Sequence, residues 1–345
     1  MSVPRLRHLL VTGGAGFIGS AFVRERLNAD PEVHITVLDK LTYAGSEENL
    51  AEARQDPRLR FVRGDICDAA LVDQVAADAD ATINFAAESH VDRSLLDAGA
   101  FVQTDVYGTY VLLEAARRHR HHRFLQVSTD EVYGHVGQGH SREDDPLQPR
   151  SPYSATKAAA EMLVHAYYVS FGQVTLVTRG SNTYGPHQFP EKIIPLFITN
   201  ALDGLHLPIY GNGSAVRDYL YVDDHVAGIV RVLYEGQPGT VYNLGAGSEV
   251  CGTDVADTVL ELCERPPSLK HFVQDRPGHD YRYALDVQRA RALGWSPTVP
   301  FREGMRQTVA WYRSHEPWWR ERKSAEFWDY YRRNYKGLPA NALPG

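Results

Sequence analysis

The sequence predicts an α/β protein, a doubly wound parallel sheet followed by a smaller C-terminal α/β lobe. Apolar strand-like runs alternate with amphipathic helical stretches through the first half of the chain. A glycine-rich turn falls between the first strand and the first helix. Past about residue 180 Pro and Gly become frequent, helices shorten and strands scatter. Alternating strands and helices of this length build βαβ units, whose strands pair in parallel. At 345 residues the chain is long enough for one large domain or for two that share a core.

The elements follow in order. "LRHLLVTG" reads as the first strand and "SAFVRERLNA" as the helix after it. "HITVLD", "RLRFVRGD" and "ATINFAA" are the next three strands. "FVQTDVYGTYVLLEAARR" is a helix, "RFLQVSTD" the fifth strand, and "SPYSATKAAAEMLVHAYYVSFG" opens a long helix. "RDYLYVDDHVAGIVRVLYEG" again reads as strand, cap and helix, with Asp223 and Asp224 suited to the cap. The expected division is a nucleotide-binding domain over 1–180 with returns near 215–245, a substrate lobe mainly over 181–330, and a tail over 331–345. The aromatic, charged segment "WWRERKSAEFWDYYRRNY" is expected to be a helix docked on the body, since a helix with one apolar face packs on its own core.

Composition narrows the partners. A formal net charge of −7 argues against general nucleic-acid binding, which needs a basic surface. Cys67, Cys251 and Cys263 are odd in number and widely spaced, so neither a disulfide framework nor a CxxC metal site is supported. A reducing compartment follows. The N-terminal "MSVPRLRHLLVTGGAG" lacks the apolar core of a signal peptide, and no run approaches the roughly 18 apolar residues of a membrane span. A cytoplasmic protein with no membrane partner is expected. "HRHHR" (119–123) lacks carboxylate and cysteine and sits at a helix end, where its cations suit the dipole better than a metal.

"LLVTGGAGFIGS" places Gly13, Gly16 and Gly19 between strand and helix. Glycines let the turn be tight and let backbone approach a pyrophosphate at the positive end of the helix. A plain β–α turn is the bland alternative. Asp39, twenty residues past Gly19 at the end of the second strand, stands where an acid bonds ribose hydroxyls. "GDI" (64–66) brings Asp65 and Ile66 to the sheet edge, where adenine would lie. The fold is therefore read as a Rossmann domain. An acid at 39 favours NAD over NADP, with Lys40 beside it as the one opposing sign.

"SPYSATK" holds Tyr153 and Lys157 at i and i+4, on one helix face. The ammonium is expected to lower the phenol's pKa, so that a tyrosinate takes a hydroxyl proton while hydride leaves the attached carbon. Alone, the spacing is no more than an amphipathic helix start; behind a dinucleotide fingerprint it reads as catalytic. "STDEVYG" adds adjacent Asp130 and Glu131 after the fifth strand. A solvated loop is one reading and a proton-handling site the other. Close carboxylates can have their pKa values pushed apart, and an extended backbone would aim them to opposite sides.

The succession TGGAGFIG, FAAESHVDRS, STDEVYG and SPYSATK resembles the extended short-chain dehydrogenase/reductase family, and within it the dTDP-glucose 4,6-dehydratases. The match covers about residues 8–330 and continues through NTYGPHQFPEKIIP, LPIYGNGSAVRDYLYVDDH, VYNLGAG and DRPGHDYRYALD. "TDE" is its discriminating element. The resemblance implies that Tyr153, helped by Lys157, deprotonates a glucose 4-hydroxyl while NAD takes hydride from C4, with Thr129 bonded to the C4 oxygen. Glu131 would remove the C5 proton, Asp130 would protonate the departing C6 hydroxyl, and hydride would return to C6. It implies cofactor contacts from Phe17, Ile18, Lys40, Leu41, Thr42, Ile66, Phe85, Ala86, Ala87, Ser89, Thr104 and Thr183. Sugar-nucleotide contacts are implied for Ser89, Thr129, Asn182, Lys192, Ile193, Pro208, Tyr210, Arg217, Asn243, Arg276 and His279. For each of these the alternative is a loop residue or a local ion pair such as Arg217–Asp218. The chain departs from the family pattern at Thr183, His187 and Phe189, and at Asp105, where the family carries Asn. The implied partner is a nucleoside-diphosphate sugar, and the product would feed deoxysugars such as rhamnose. Pairing through the helices near 101–118 and 153–170 would make a homodimer. A UDP-sugar 4-epimerase or decarboxylase of the same fold is the alternative that Asp130–Glu131 disfavours, and a catalytically silent dinucleotide sensor is the one that Tyr153 and Lys157 disfavour.

Overall fold

A computed structural model describes residues 5–275 and 280–335. Strands β1 (His8–Thr12), β2 (His34–Asp39), β3 (Leu59–Arg63), β4 (Ala81–Asn84), β5 (Arg123–Thr129) and β6 (Thr175–Gly180) follow one another along the chain. With β10 (Thr240–Leu244) they make one sheet in the order β10-β6-β5-β4-β1-β2-β3. Every pairing in it is parallel. β1, β4 and β5 are almost wholly buried, as strands covered by helices on both faces must be. The crossovers are α1 (Phe17–Ala29), α2 (Ala69–Ala76), the run α3 (Val91–Leu96), α4 (Ala98–Phe101) and α5 (Thr109–Arg118), and α6 (Pro152–Phe171). The strand order reverses between β1 and β4, and the crevice above their carboxyl ends is where such sheets bind ligands.

The second lobe is built from β7 (Asn182–Tyr184), α7 (Ile193–Asp203), β8 (Leu207–Tyr210), β9 (Val216–Tyr221), β11 (Glu249–Cys251), α9 (Gly252–Leu262) and β12 (Lys270–Val273). Its strands form two small sheets, β11-β9-β7 and β12-β8. α8 (Val222–Glu235) returns to the main sheet. A further return was not legible: Leu285, Val287, Ala290 on α10 (Gln288–Ala292), and Trp295 pack into the core of the first domain. The chain ends in α11 (Phe301–Ser314), α12 (Glu316–Arg322) and α13 (Ala325–Asn334).

Three expectations need correction. The boundary at 330 falls inside α13, whose Tyr331 is buried with Tyr335, Tyr312 and Trp319 in the second core, so the end of the chain is part of that lobe. Asp223 and Asp224 do not cap α8, which has no side-chain cap; the Asp224 carboxylate instead accepts from the Thr298 and Val299 amides and the Thr298 hydroxyl. "FVQTDVYGTYVLLEAARR" is not one regular helix, because Val102–Gly108 is π-helical between α4 and α5. In "HRHHR", the His119 ring meets Asp73 and the His121 ring lies between the Thr82 hydroxyl and the Ala76 carbonyl. No helix among the described residues is long and apolar enough to cross a membrane.

Candidate active site

Two adjoining cavities open over the carboxyl ends of the main sheet. The first is lined at one end by the β1–α1 turn. Gly13 has φ +68°, and a Cβ there would come within 2.5 Å of the Ala86 amide nitrogen. A Cβ on Gly19 would lie 2.3 Å from the Gly13 carbonyl oxygen. The first turn of α1 has no side-chain cap, so its amides face the cavity without a protein acceptor of that kind. This is a cradle shaped for a pyrophosphate. Phe17, Ile18, Thr42, Ile66, Phe85, Ala86, Ala87, Ser89, Thr104 and Thr183 all line the same cavity.

Asp39 ends β2 with each carboxylate oxygen already holding one amide, Ala15 at 2.9 Å and Leu41 at 2.8 Å. Carboxylate oxygens have spare lone pairs for ribose hydroxyls. Lys40 gives its ammonium to Asp65 at 2.6 Å, so the cation that a 2′-phosphate would need is already paired. Leu41 does not line the cavity: it is held at φ +55°, donates its N–H to Asp39 and packs its side chain on the core.

At the other end of this cavity stand Thr129, Asp130, Glu131, Tyr153 and Lys157. β5 delivers the first of these. The Thr129 hydroxyl accepts from the Glu131 amide at 3.2 Å and caps a single 3-10 turn, Asp130–Tyr133. The carboxylates are therefore not on an extended backbone, as expected from the sequence. They diverge because successive residues of a 3-10 turn are about 120° apart. Asp130 is 2% exposed, and its Oδ2 has no hydrogen-bond partner among the described residues. Burial first, then the neighbouring carboxylates Glu131 and Asp218, hold its carboxyl well above the usual range. It holds its proton more tightly than an ordinary carboxyl. Glu131 faces both cavities.

Ser151 presents Tyr153 and Lys157 by capping α6 in a reciprocal capping box with Ser154, with Pro152 as the first helical residue. The tyrosine ring packs edge-on against Phe101 at 6.2 Å and its hydroxyl bonds the Thr129 side chain. Here too the structure corrects an expectation. The phenol is not lowered on balance, and the Lys157 ammonium donates to the Val127 carbonyl at 2.8 Å. Burial, followed by Glu131 and Asp105, pushes the Tyr153 phenol well above its ordinary value. Burial likewise lowers the Lys157 ammonium, against the attraction of Asp105 and Glu161.

The second cavity lies between the lobes and is lined by Asn182, Lys192, Ile193, Pro208, Tyr210 and Arg217. Arg217 lies over the Tyr283 ring at 4.6 Å and donates to the Val216 and Asp280 carbonyls. Asn182 faces both cavities with a buried Oδ1 that has no partner. Asn243 is a correction. It lines neither cavity and is fully buried on β10, its amide donating to the Ser141 and Asp286 carbonyls and accepting from the Tyr133 hydroxyl. That is a structural pin. Arg276 and His279 lie outside the described residues.

Sequence reasoning missed His225 and Tyr335. His225 lines the first cavity, paired through Nδ1 with the Thr183 hydroxyl at 2.7 Å. Tyr335 closes the second, packed on Tyr210 at 5.3 Å. "YVDDH" and the aromatic tail carried signals for both, but each was read as cap or packing.

The chain matches the family model GDP-mannose 4,6 dehydratase over residues 10–308. It is 50% identical over 317 residues to a dTDP-glucose 4,6-dehydratase of Actinoplanes sp., covering 90% of this chain and 99% of that one. Among solved structures, the dTDP-glucose 4,6-dehydratase of Streptomyces venezuelae with NAD bound superposes with a TM-score of 0.90 at 48% identity, covering 92% of this chain and 100% of that one. A Thermus thermophilus UDP-glucose 4-epimerase in complex with NAD superposes with a TM-score of 0.83 at 32% identity, covering 89% and 99%.

Proposed function

The chain belongs to the GDP-mannose 4,6 dehydratase family, and on that premise we propose that it converts dTDP-glucose to dTDP-4-keto-6-deoxyglucose and water. The observation that carries this reading is Asp130, a buried carboxyl that burial and its carboxylate neighbours push well above the usual range, beside Glu131, Thr129 and Tyr153 and with one oxygen unpartnered among the described residues. Hydride transfer alone needs no such acid; loss of a hydroxyl as water does.

The first cavity fits NAD. The Gly13–Gly19 turn gives a pyrophosphate room that a Cβ would fill, and Asp39 presents a carboxylate for ribose hydroxyls, disfavouring a 2′-phosphate. When bound, NAD supplies the hydride acceptor for C4 and the donor for C6, and its positive ring favours a nearby phenolate. Gly13, Gly16, Phe17, Ile18 and Gly19 would hold its phosphates, and Asp65 and Ile66 would flank its adenine. Tyr153 takes the 4-hydroxyl proton while Thr129 holds the C4 oxygen. Lys157, anchored on Val127, provides the positive charge beside the phenol. Oxidation at C4 acidifies C5–H, which Glu131 removes, and Asp130 gives its proton to the C6 oxygen leaving as water. Arg217 and Lys192 supply cations for the sugar nucleotide's diphosphate, and Ser89 and Asn182 supply polar groups for the sugar.

We further place the enzyme in the cytoplasm as a homodimer whose product feeds deoxysugars such as rhamnose. Free thiols at Cys67, Cys251 and Cys263 support a reducing compartment. The dimer is supported by an exposed apolar face: Leu95, Leu96, Val102, Tyr107, Tyr110, Met162, Val169 and Phe171 lie on or beside the two helical runs expected to pair. Purified protein incubated in turn with dTDP-glucose and UDP-glucose tests the reaction and the base together. A 4-keto-6-deoxy product formed preferentially from the dTDP sugar is expected; a C4 epimer, or preference for the UDP sugar, would contradict the proposal.

A further inference from the structure

Beneath Tyr153 and Lys157 lies a third carboxylate that the mechanism does not use. Asp105 sits in the π-helical stretch between α4 and α5 and is 2% exposed. Its Oδ1 accepts from the Glu88 amide at 3.0 Å, and its Oδ2 accepts from the Thr156 hydroxyl at 2.8 Å. Thr156 is the residue before Lys157, and its hydroxyl also reaches the Tyr153 carbonyl at 2.9 Å. One hydroxyl proton thus stands between the carboxylate and the first turn of the catalytic helix. An ionised Asp105 draws that proton to itself. A neutral one can donate to the hydroxyl, which then gives its proton to the Tyr153 carbonyl.

We propose that Asp105 is a positioning residue that sets the pH range in which the Tyr153–Lys157 pair works. Its charge acts on both members in the same direction. It raises the Tyr153 phenol, behind burial and Glu131, and it raises the Lys157 ammonium against the burial that lowers it. Among the described residues, the titratable groups that face Asp105 are Tyr153 and Lys157 on α6 and Glu88 after β4; its own helical run adds the backbone bond to Thr109. Burial is the main cause that lifts the Asp105 carboxyl to about 6, with Lys157 and Thr156 opposing. The charge therefore switches on within the range where an enzyme operates.

Asp105→Asn tests this, and the amide can keep the bonds to the Glu88 N–H and the Thr156 hydroxyl. The inference rests on the proposed reaction, so two measurements are needed. In kcat/KM for dTDP-glucose, both limbs of the pH profile should move to lower pH in the variant, by about 1 unit or more. The two enzymes should converge below about pH 6, where the wild-type carboxyl is itself neutral. The second measurement is Tm against pH, which needs no turnover. Because the folded-state pKa of Asp105 is raised, this group costs wild type stability as pH rises from the ordinary carboxylate range to about 6, and the variant lacks that contribution. The Tm difference should therefore grow in the variant's favour across that window and stay level above it. Thr156→Val supplies a second variant: without the hydroxyl's bond, the window should move to higher pH. A pH-independent change in rate and in Tm would overturn the proposal and leave the reaction standing. Absence of turnover by both proteins, with the Tm divergence present, would retire the proposed reaction and this inference with it.

Discussion

Asp130→Asn is expected to oxidise dTDP-glucose at C4 and then stall. The amide nearly matches the carboxyl in size, and the site asks for a neutral group there, so binding and folding should survive. What the amide lacks is a proton it can give up. Positioned acids of this kind contribute roughly a hundred- to ten-thousand-fold, and the loss should fall on elimination alone. Mixing enzyme with substrate should show reduced-nicotinamide absorbance rising at close to the wild-type rate and persisting, while the 6-deoxy product appears slowly. Wild-type rates of product formation would remove Asp130 from the role. A loss of oxidation as well would mean that the residue shapes the pocket rather than donating a proton.

Tyr153→Phe should fail one step earlier, by a similar roughly hundred- to ten-thousand-fold factor. The ring can still pack against Phe101, but the group proposed to take the 4-hydroxyl proton is gone. No reduced nicotinamide should accumulate, and the affinity for dTDP, measured by calorimetry, should stay close to that of wild type because the residues proposed to bind it line the other cavity. The contrast between the two variants separates the steps: one should be trapped after oxidation, the other before it. If the Phe variant oxidises the sugar freely, Lys157 or another group is the base.

What the sequence made legible was chemistry set by local spacing. Gly13, Gly16 and Gly19 with Asp39, and Tyr153 with Lys157, each belong to one βαβ unit or one helix turn, so short-range spacing alone brings them together. Asp130 and Glu131 were found for the same reason. Their divergence was read through the wrong backbone, because the Thr129 hydroxyl bends the chain into a 3-10 turn that residue pattern alone does not announce. The depressed phenol was misread because burial and the carboxylates of Glu131 and Asp105 converge on Tyr153 from separate elements. Asn243 was assigned to substrate although its partners Ser141 and Asp286 lie far along the chain and consume its amide. Asp224 met Thr298 and Val299 across a similar distance, and Tyr335 reached the second cavity through a helix read only as packing. Apart from the local 3-10 turn, the missing information was in each case a contact between distant segments.

The central claim is that one hydride leaves C4 and returns to C6 of the same sugar while water departs between the two events. dTDP-glucose carrying deuterium at C4 tests it most directly, with the product examined by mass spectrometry and deuterium NMR. Deuterium in the C6 methyl group of a 4-keto product is the predicted result. Deuterium retained at C4 of an epimerised sugar, or a 4-keto-6-deoxy product with none at C6, would contradict the account.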